Sequence, residues 1–255
     1  MPDQLKLNFA LWTRAAVREL IQKHCGFLMP VRTVGEYLKR WGYTPQRPLK
    51  RAYQQNPKVV QRWLDEDYPL IAKRAKAEKA EIQWADEAGV RSDNHSGRSF
   101  APAGKTPVRL VSGSRFSTTM ISSVTNRGKL RFMLYKETMT AQVFIRFLDR
   151  LVRGAKGKKI FLILDNLRVH HSKKVAAWVE ARKEQIELFF LPAYAPELNP
   201  DEYLNGDLKQ QLKTGRAART QDELEGRVRS ILRDIQRQPD RVASYFRHPK
   251  ISYAA

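Results

Sequence analysis

The period of the apolar positions changes part-way along this chain, and the change separates two kinds of architecture. Over residues 11–25 Trp12, Ala16, Leu20 and Ile21 recur at helical spacing, with Thr13 placed to cap the start and Gly26 to end the helix. A second helical pattern covers about 32–41, with Val34, Leu38 and Trp41 on one face and Arg32, Lys39 and Arg40 elsewhere on its surface. Gly42 stops it, and the basic, proline-bearing loop YTPQRPLKRAY follows. Residues 57–80 read as one charged helix connecting two domains, in which Pro69 is expected to cause a break or a kink.

From Glu81 onward strand patterns enter. EIQWADE reads as a short strand ending in acids. Residues 115–125 and 129–135 are strand-like, with Leu130, Phe132 and Leu134 alternating in the second and the turn at Asn126–Gly128. Residues 139–153 form an amphipathic helix bearing Val143, Phe144, Phe147, Leu148 and Leu151. KKIFLILDN and IELFFLP are unbroken apolar runs, as expected of strands covered on both faces. The helix SKKVAAWVEARKE separates them, another opens at Pro200, and one more spans about 221–236. The order β-β-β-α-β-α-β-α predicts a mixed sheet flanked by helices, an α/β fold preceded by a small helical domain.

Charge then narrows the partner. The formal net charge is +21 and the pI is near 10.3, which favours a polyanion, and nucleic acid is the commonest. Helix, turn, helix and basic loop is the order of a winged helix-turn-helix, whose second helix enters the major groove while the wing touches backbone. Arg32, Lys39, Arg40, Arg47, Lys50 and Arg51 are its candidate DNA contacts, although an ordinary helical hairpin with solvated charges shares the pattern. The single cysteine, Cys25, excludes an intramolecular disulfide and thiolate metal clusters, and fits a reducing cytoplasm. No apolar run approaches the ~18 residues of a membrane span, and MPDQLKLNFALW lacks the features of a signal peptide.

Three acids hold similar addresses. Asp86 is expected to end the first strand, Asp165 ends the most apolar one, and Glu202 opens the helix after IELFFLP. In such a sheet functional groups collect beyond the strand ends. Three converging carboxylates repel one another, and a hard divalent cation, Mg²⁺ or Mn²⁺, relieves that repulsion. Two such ions, roughly 4 Å apart, suit phosphodiester chemistry. Taken singly, each acid has a plainer role: Asp86 and Asp165 as turn residues, Glu202 as the third residue of a capping box begun by Asn199 and Pro200. Asp93, Asp201 and Asp207 are competitors, each expected at the surface or in a cap. Gly104-Lys105-Thr106 lacks the upstream glycine of a phosphate loop, and His170-His171 lacks the second pair a zinc site needs.

WADEAGV, ILDNLRVHHS and LPAYAPELNPDE together resemble the catalytic core of mariner-superfamily DDE transposases, in particular the bacterial insertion-sequence branch. The resemblance matches Asp86 to the aspartate of a DE pair, and Asp165-Asn166 with His170 to a DN dipeptide followed by a histidine. It matches Glu202 to the acid closing P-Y-S-P-x-L-N-P-x-E. It implies an RNase H-like catalytic domain over 81–218 with Asp86, Asp165 and Glu202 as catalytic metal ligands and His170 as a DNA contact at the cleft rim. It also implies a winged helix-turn-helix over 1–56, a helical linker over 57–80 and a C-terminal helical extension over 219–255. The activity implied is Mg²⁺- or Mn²⁺-dependent cleavage at transposon ends and strand transfer, by a homodimer on double-stranded DNA in the cytoplasm, at the nucleoid. A second reading is a truncated or repurposed copy that binds element ends and represses.

Overall fold

The computed structural model describes residues 1–255 apart from 47, 49–51, 94–99, 109–112, 215 and 217. The chain divides into two compact units, Met1–Arg51 and Ala52–Ala255. In the first, α1 (Arg14–Cys25) and α2 (Val31–Arg40) form a helical pair. Thr13 caps α1 by accepting from the Ala16 amide at 3.2 Å, and Gly26 ends it in the left-handed region at φ 74°. Ala16 and Val34 are buried, whereas Trp12 and Trp41 are exposed. The pair therefore buries small residues and leaves its large aromatics at the surface.

The second unit opens with α3 (Pro57–Arg62), a π-helical turn (Trp63–Asp67) and α4 (Tyr68–Ala77). The expected disturbance at Pro69 takes this form: the wide turn lies just before the proline, which sits in the first turn of α4 where its missing N–H costs least. Trp63, Tyr68, Ile71 and Ala75 are buried in the main core, so this stretch is an integral wall of the unit.

The sheet, among the described residues, has five strands in the order β3-β2-β1-β4-β5: β1 (Glu81–Arg91), β2 (Ser117–Val124), β3 (Leu130–Tyr135), β4 (Ile160–Leu164) and β5 (Ile186–Phe190). The first three are antiparallel neighbours, and β1–β4 and β4–β5 are parallel. The tight turn between β2 and β3 needs Gly128, at φ 83° and with no room for a Cβ against the Pro239 carbonyl. α5 (Ala141–Gly154) and α6 (Lys173–Glu180) cover one face, burying Val143, Phe144, Phe147, Leu148, Leu151 and Val175.

The other face is covered by α4, α7 (Asp201–Thr214), α8 (Gln221–Gln236) and α9 (Pro239–Ser244). Residues 219–255, expected as an extension, belong to this same core. Leu224, Val228, Leu232, Ile235, Val242 and Phe246 are all buried there. Trp84 is sealed between Tyr68 and Phe246, at 6.0 and 5.0 Å between ring centroids. Tyr253 meets Tyr68 edge-on at 4.7 Å.

Candidate active site

β1 is longer than its sequence predicts and runs on to Arg91, so Asp86 stands in mid-strand, register partner of Ser122 on β2. It is nonetheless at an edge. The pairing of β1 with β4 stops at Trp84↔Ile163, and β4 ends at Leu164. Carried two residues further, the same register sets Asp86 beside Asp165, the first residue past β4. The opening left where β1 and β4 part is filled from the loop before α7. Asn199 donates through Nδ2 to the Ala85 carbonyl at 2.9 Å, a backbone acceptor that β4 leaves free, and accepts from the Asp201 amide at 3.1 Å.

This asparagine ties the start of α7 to the sheet and so brings Glu202 in. Asp86, Asp165 and Glu202 line one cavity of about 380 Å³, together with Asn166, Asn199 and the 191–196 loop. Tyr194 in that loop lies in the left-handed region at φ 60°. The loop is braced by Gln55, whose Nε2 donates to the Tyr194 carbonyl and to Glu197 Oε1 at 2.9 and 2.8 Å. Glu202 is not a capping-box residue. The Asn199 N–H that such a glutamate would take goes to the Pro196 carbonyl at 2.9 Å.

On the α7 side, among the described residues, no cation pairs with Asp86. Asp86 accepts from Asn205 Nδ2 at 2.8 Å, yet burial and then the negative charges of Glu202, Asp165 and Glu87 push its carboxyl up to about 8. Glu202 is raised too, by burial first and by Asp165, against the pull of Lys209. Asp201, expected at the surface, is fully buried. It accepts from Ser122 Oγ at 2.7 Å, and burial with neighbouring Asp86 drives its carboxyl far up. Among the described residues its Oδ1 and Asn205 Oδ1 are buried without a hydrogen-bond partner.

The α5–α6 side differs. His170 is buried there against Phe144, ring centroids 4.3 Å apart. Its Nδ1 lies 3.3 Å from Asp165 Oδ1 and its Nε2 3.4 Å from Glu87 Oε1. Tyr135 donates to Glu87 Oε2 at 3.1 Å. Burial disfavours the imidazolium, but the two carboxylates outweigh it and lift His170 to about 9. In return His170 more than offsets the burial of Asp165 and holds its carboxyl below the usual range. His170 therefore does not stand at a cleft rim in reach of DNA; it lies beneath Asp165 and braces it. Asn166 fixes the same segment by donating to the Leu191 carbonyl, while Leu191 N–H reaches Leu164 O at 2.7 Å.

The donor set fits a hard divalent cation. It is built of carboxylate and amide oxygens, its acids are held against their own repulsion, and two buried oxygens beside Asp86 lack a donor. Among the described residues no three acidic, histidine or cysteine side chains stand close enough together to hold a metal ion as they are placed.

Residues 81–225 match the family model described as DDE superfamily endonuclease, and residues 8–67 match a winged helix-turn helix model. The chain belongs to the DDE superfamily of endonucleases. No curated protein matches it in sequence. Among solved structures its fold resembles the Mos1 mariner paired-end complex with Mn, with TM-score 0.66 and 17% identity over 99% of this chain and 78% of that one. It also resembles the Mos1 strand transfer complex, with TM-score 0.61 and 16% identity over 96% and 78%. The Mos1 catalytic domain aligns at TM-score 0.52 and 15% identity over 82% and 97%. At such identities the likeness is one of fold.

Other acids of this DDE endonuclease are occupied elsewhere. Asp207 accepts from both Arg241 Nε and Nη2 at 2.8 Å and from Tyr245 at 2.6 Å, and Asp93 pairs with Arg91 at 2.7 Å. Asp201 was weighed by sequence only as a competitor expected at the surface or in a cap, and Ser122 and Asn205 were not singled out. Asn205, four residues after Asp201 on one face of α7, is the one a helical spacing argument could have found. Of the expected DNA contacts, Arg32 and Arg40 project from α2, Arg32 paired with Glu36 at 3.4 Å and Arg40 lying 5.5 Å from the Tyr37 ring. Lys39 is exposed beside them. Arg47, Lys50 and Arg51 lie outside the described residues.

Proposed function

We propose that this chain is a DNA transposase of the mariner-like bacterial insertion-sequence branch, cleaving transposon ends and joining them to target DNA. The observation that carries the reading is the single cavity shared by Asp86, Asp165 and Glu202 at the divergence of β1 and β4. These three side chains would hold one or two Mg²⁺ or Mn²⁺ ions, with Glu202 preferred to the buried Asp201. Bound there, such ions activate a water or a 3′-hydroxyl and stabilise charge at the scissile phosphate. Asn199 and Asn205 orient Asp86 toward the cavity, and His170 keeps Asp165 ionised and aimed into it. Substrate DNA is held by the N-terminal unit, where Arg32, Lys39 and Arg40, with Arg47, Lys50 and Arg51, contact phosphates. A dimer at the nucleoid pairs two ends.

The test is the fate of DNA carrying the element's own inverted repeats. Mg²⁺-dependent nicking at the ends, followed by joining to a target duplex, is expected of the purified chain. Tight binding of the ends without nicking in Mg²⁺ or Mn²⁺ would make it a non-catalytic end-binding repressor instead.

A further inference from the structure

A second feature of the sheet, far round its edge from the carboxylates, is basic. β3 is the outer strand of the sheet and pairs with β2 alone. Alternate residues of such a strand turn their N–H and C=O groups outward. One of these carbonyls, Leu130, is taken by Gln236 Nε2 at 2.7 Å. Along this edge, between α5 and α8, runs a cavity of about 340 Å³ lined by Arg131, Arg150, Arg229, Arg233 and Gln236 over an apolar floor. Among the described residues four guanidinium groups line it and no acid does. It continues past Arg150 into a shallower hollow of about 610 Å³, where Arg146 and Arg153 are paired with Glu137 and Asp149.

The arginines are arranged by helical spacing. Arg229 and Arg233 stand four apart on α8, while Arg146, Arg150 and Arg153 form one stripe on α5. Arg131 is already engaged, with Glu81 and the Gly154 carbonyl. Arg150 and Arg233 have no ion-pair partner among the described residues. Glu225, on which the charge of Arg229 acts, is held by Gln221 and by Lys136, the latter at 3.1 Å. Exposed guanidinium groups facing one another across a groove repel in the free protein, and a run of phosphates relieves that repulsion.

We propose that this groove between α5 and α8 is a docking surface for the phosphate backbone of duplex DNA, additional to the N-terminal unit and to the carboxylate cavity. The contacts assigned to it run from guanidinium groups to phosphate oxygens, which carry no sequence information, so it takes DNA of any sequence. That suits a segment whose sequence is not fixed, such as target DNA or flank. This last step rests on the transposase reading, whereas the groove's affinity for duplex does not.

The experiment uses the full chain, a duplex of random sequence and a titration of salt. Changing Arg150, Arg229 and Arg233 together to Gln is expected to flatten the salt dependence by about two to three units of slope, near 0.9 for each phosphate no longer neutralised. Affinity at moderate salt should fall at least tenfold. Changing the same three to Lys keeps the charges and should keep most of the slope, which separates the removal of charge from misfolding. An unchanged slope in the Gln variant overturns the proposal. So does a variant that loses affinity for polyglutamate while keeping it for duplex, since the groove would then take an acidic protein. Wild-type nicking of end DNA is scored separately: if it is absent while the salt slope responds, the transposase reading fails and the groove stands.

Discussion

Asp86 and Glu87 are consecutive residues of one strand, and they face opposite worlds. On the α7 side, Asp86 has Asp201, Glu202 and Asn205 around it, and among the described residues no cation pairs with it; its carboxyl is driven up to about 8. On the α5–α6 side, Glu87 meets an imidazolium and a phenol, and through His170 the neighbouring Asp165 is held low. The residue type is the same, and the counter-charge decides. Where the protein supplies its own cation, His170, the acids beside it are held ionised. Where none is paired with the acid, burial and like charges raise its carboxyl, and that is the side on which the cavity opens.

The strongest way to break this contrast is to remove a carboxylate that lines the cavity, from either side of it. Asp86→Asn, Asp165→Asn and Glu202→Gln should each lower Mg²⁺-dependent nicking of end DNA by about a hundred- to ten-thousandfold, several kcal/mol of transition-state stabilisation at about 1.4 kcal/mol per decade. Binding of the ends should persist. Equal nicking by wild type and Glu202→Gln would reduce Glu202 to a helix residue and move the third ligand to Asp201.

The next effect is on the metal-free protein. The folded carboxyl of Asp86 titrates near 8, above its unfolded value of about 3.9. The folded state therefore binds the extra proton between those values, and its stability falls as pH rises through the window. Melting temperature without metal should decline from pH 4 to pH 8, added Mg²⁺ should restore it at the upper end, and Asp86→Asn should flatten the curve. A profile of Asp86→Asn superimposable on the wild type would refute the charge assignment.

Beneath Asp165 the expected loss is smaller. His170→Ala removes the brace but no ligand, and should slow nicking by about ten- to a hundredfold while raising the Mg²⁺ concentration needed for half-maximal rate. Unaltered rate and metal requirement would make His170 packing alone. Back on the α7 side, Ser122→Ala takes away the donor that Asp201 Oδ2 uses at 2.7 Å and should cost about 1–3 kcal/mol of stability, read by urea unfolding, with little change in rate.

How much of this was legible beforehand depended on whether the signal was local. The apolar runs IFLIL and IELFF, the cap at Thr13 and the Gly128 turn are local, and the observed elements follow them. The gathering of Asp86, Asp165 and Glu202 was legible through strand order and motif. The depth of Asp201 was not, because an acid at a helix start reads as a cap whatever lies beyond it. Nor was the burial of His170, whose partner Glu87 is 83 residues away and reaches it only through the sheet. The length of β1 was missed because its second half, AGVR, has little strand character of its own and is held by register with β2.

The aromatic seal under β1 has a bearing on the order in which the molecule is made. All three cavity acids leave the ribosome before Phe246 and Tyr253 do, and those two rings close over Trp84 and Tyr68 on the strand that carries Asp86 and the helix beside it. Tyr253 also donates to the Leu198 carbonyl at 2.7 Å, one residue before the asparagine that ties α7 to the sheet. A nascent chain thus holds every acid of the cavity without the wedge that aligns them. The packing under β1 is complete only once residue 253 has been made, the last of the rings to join it.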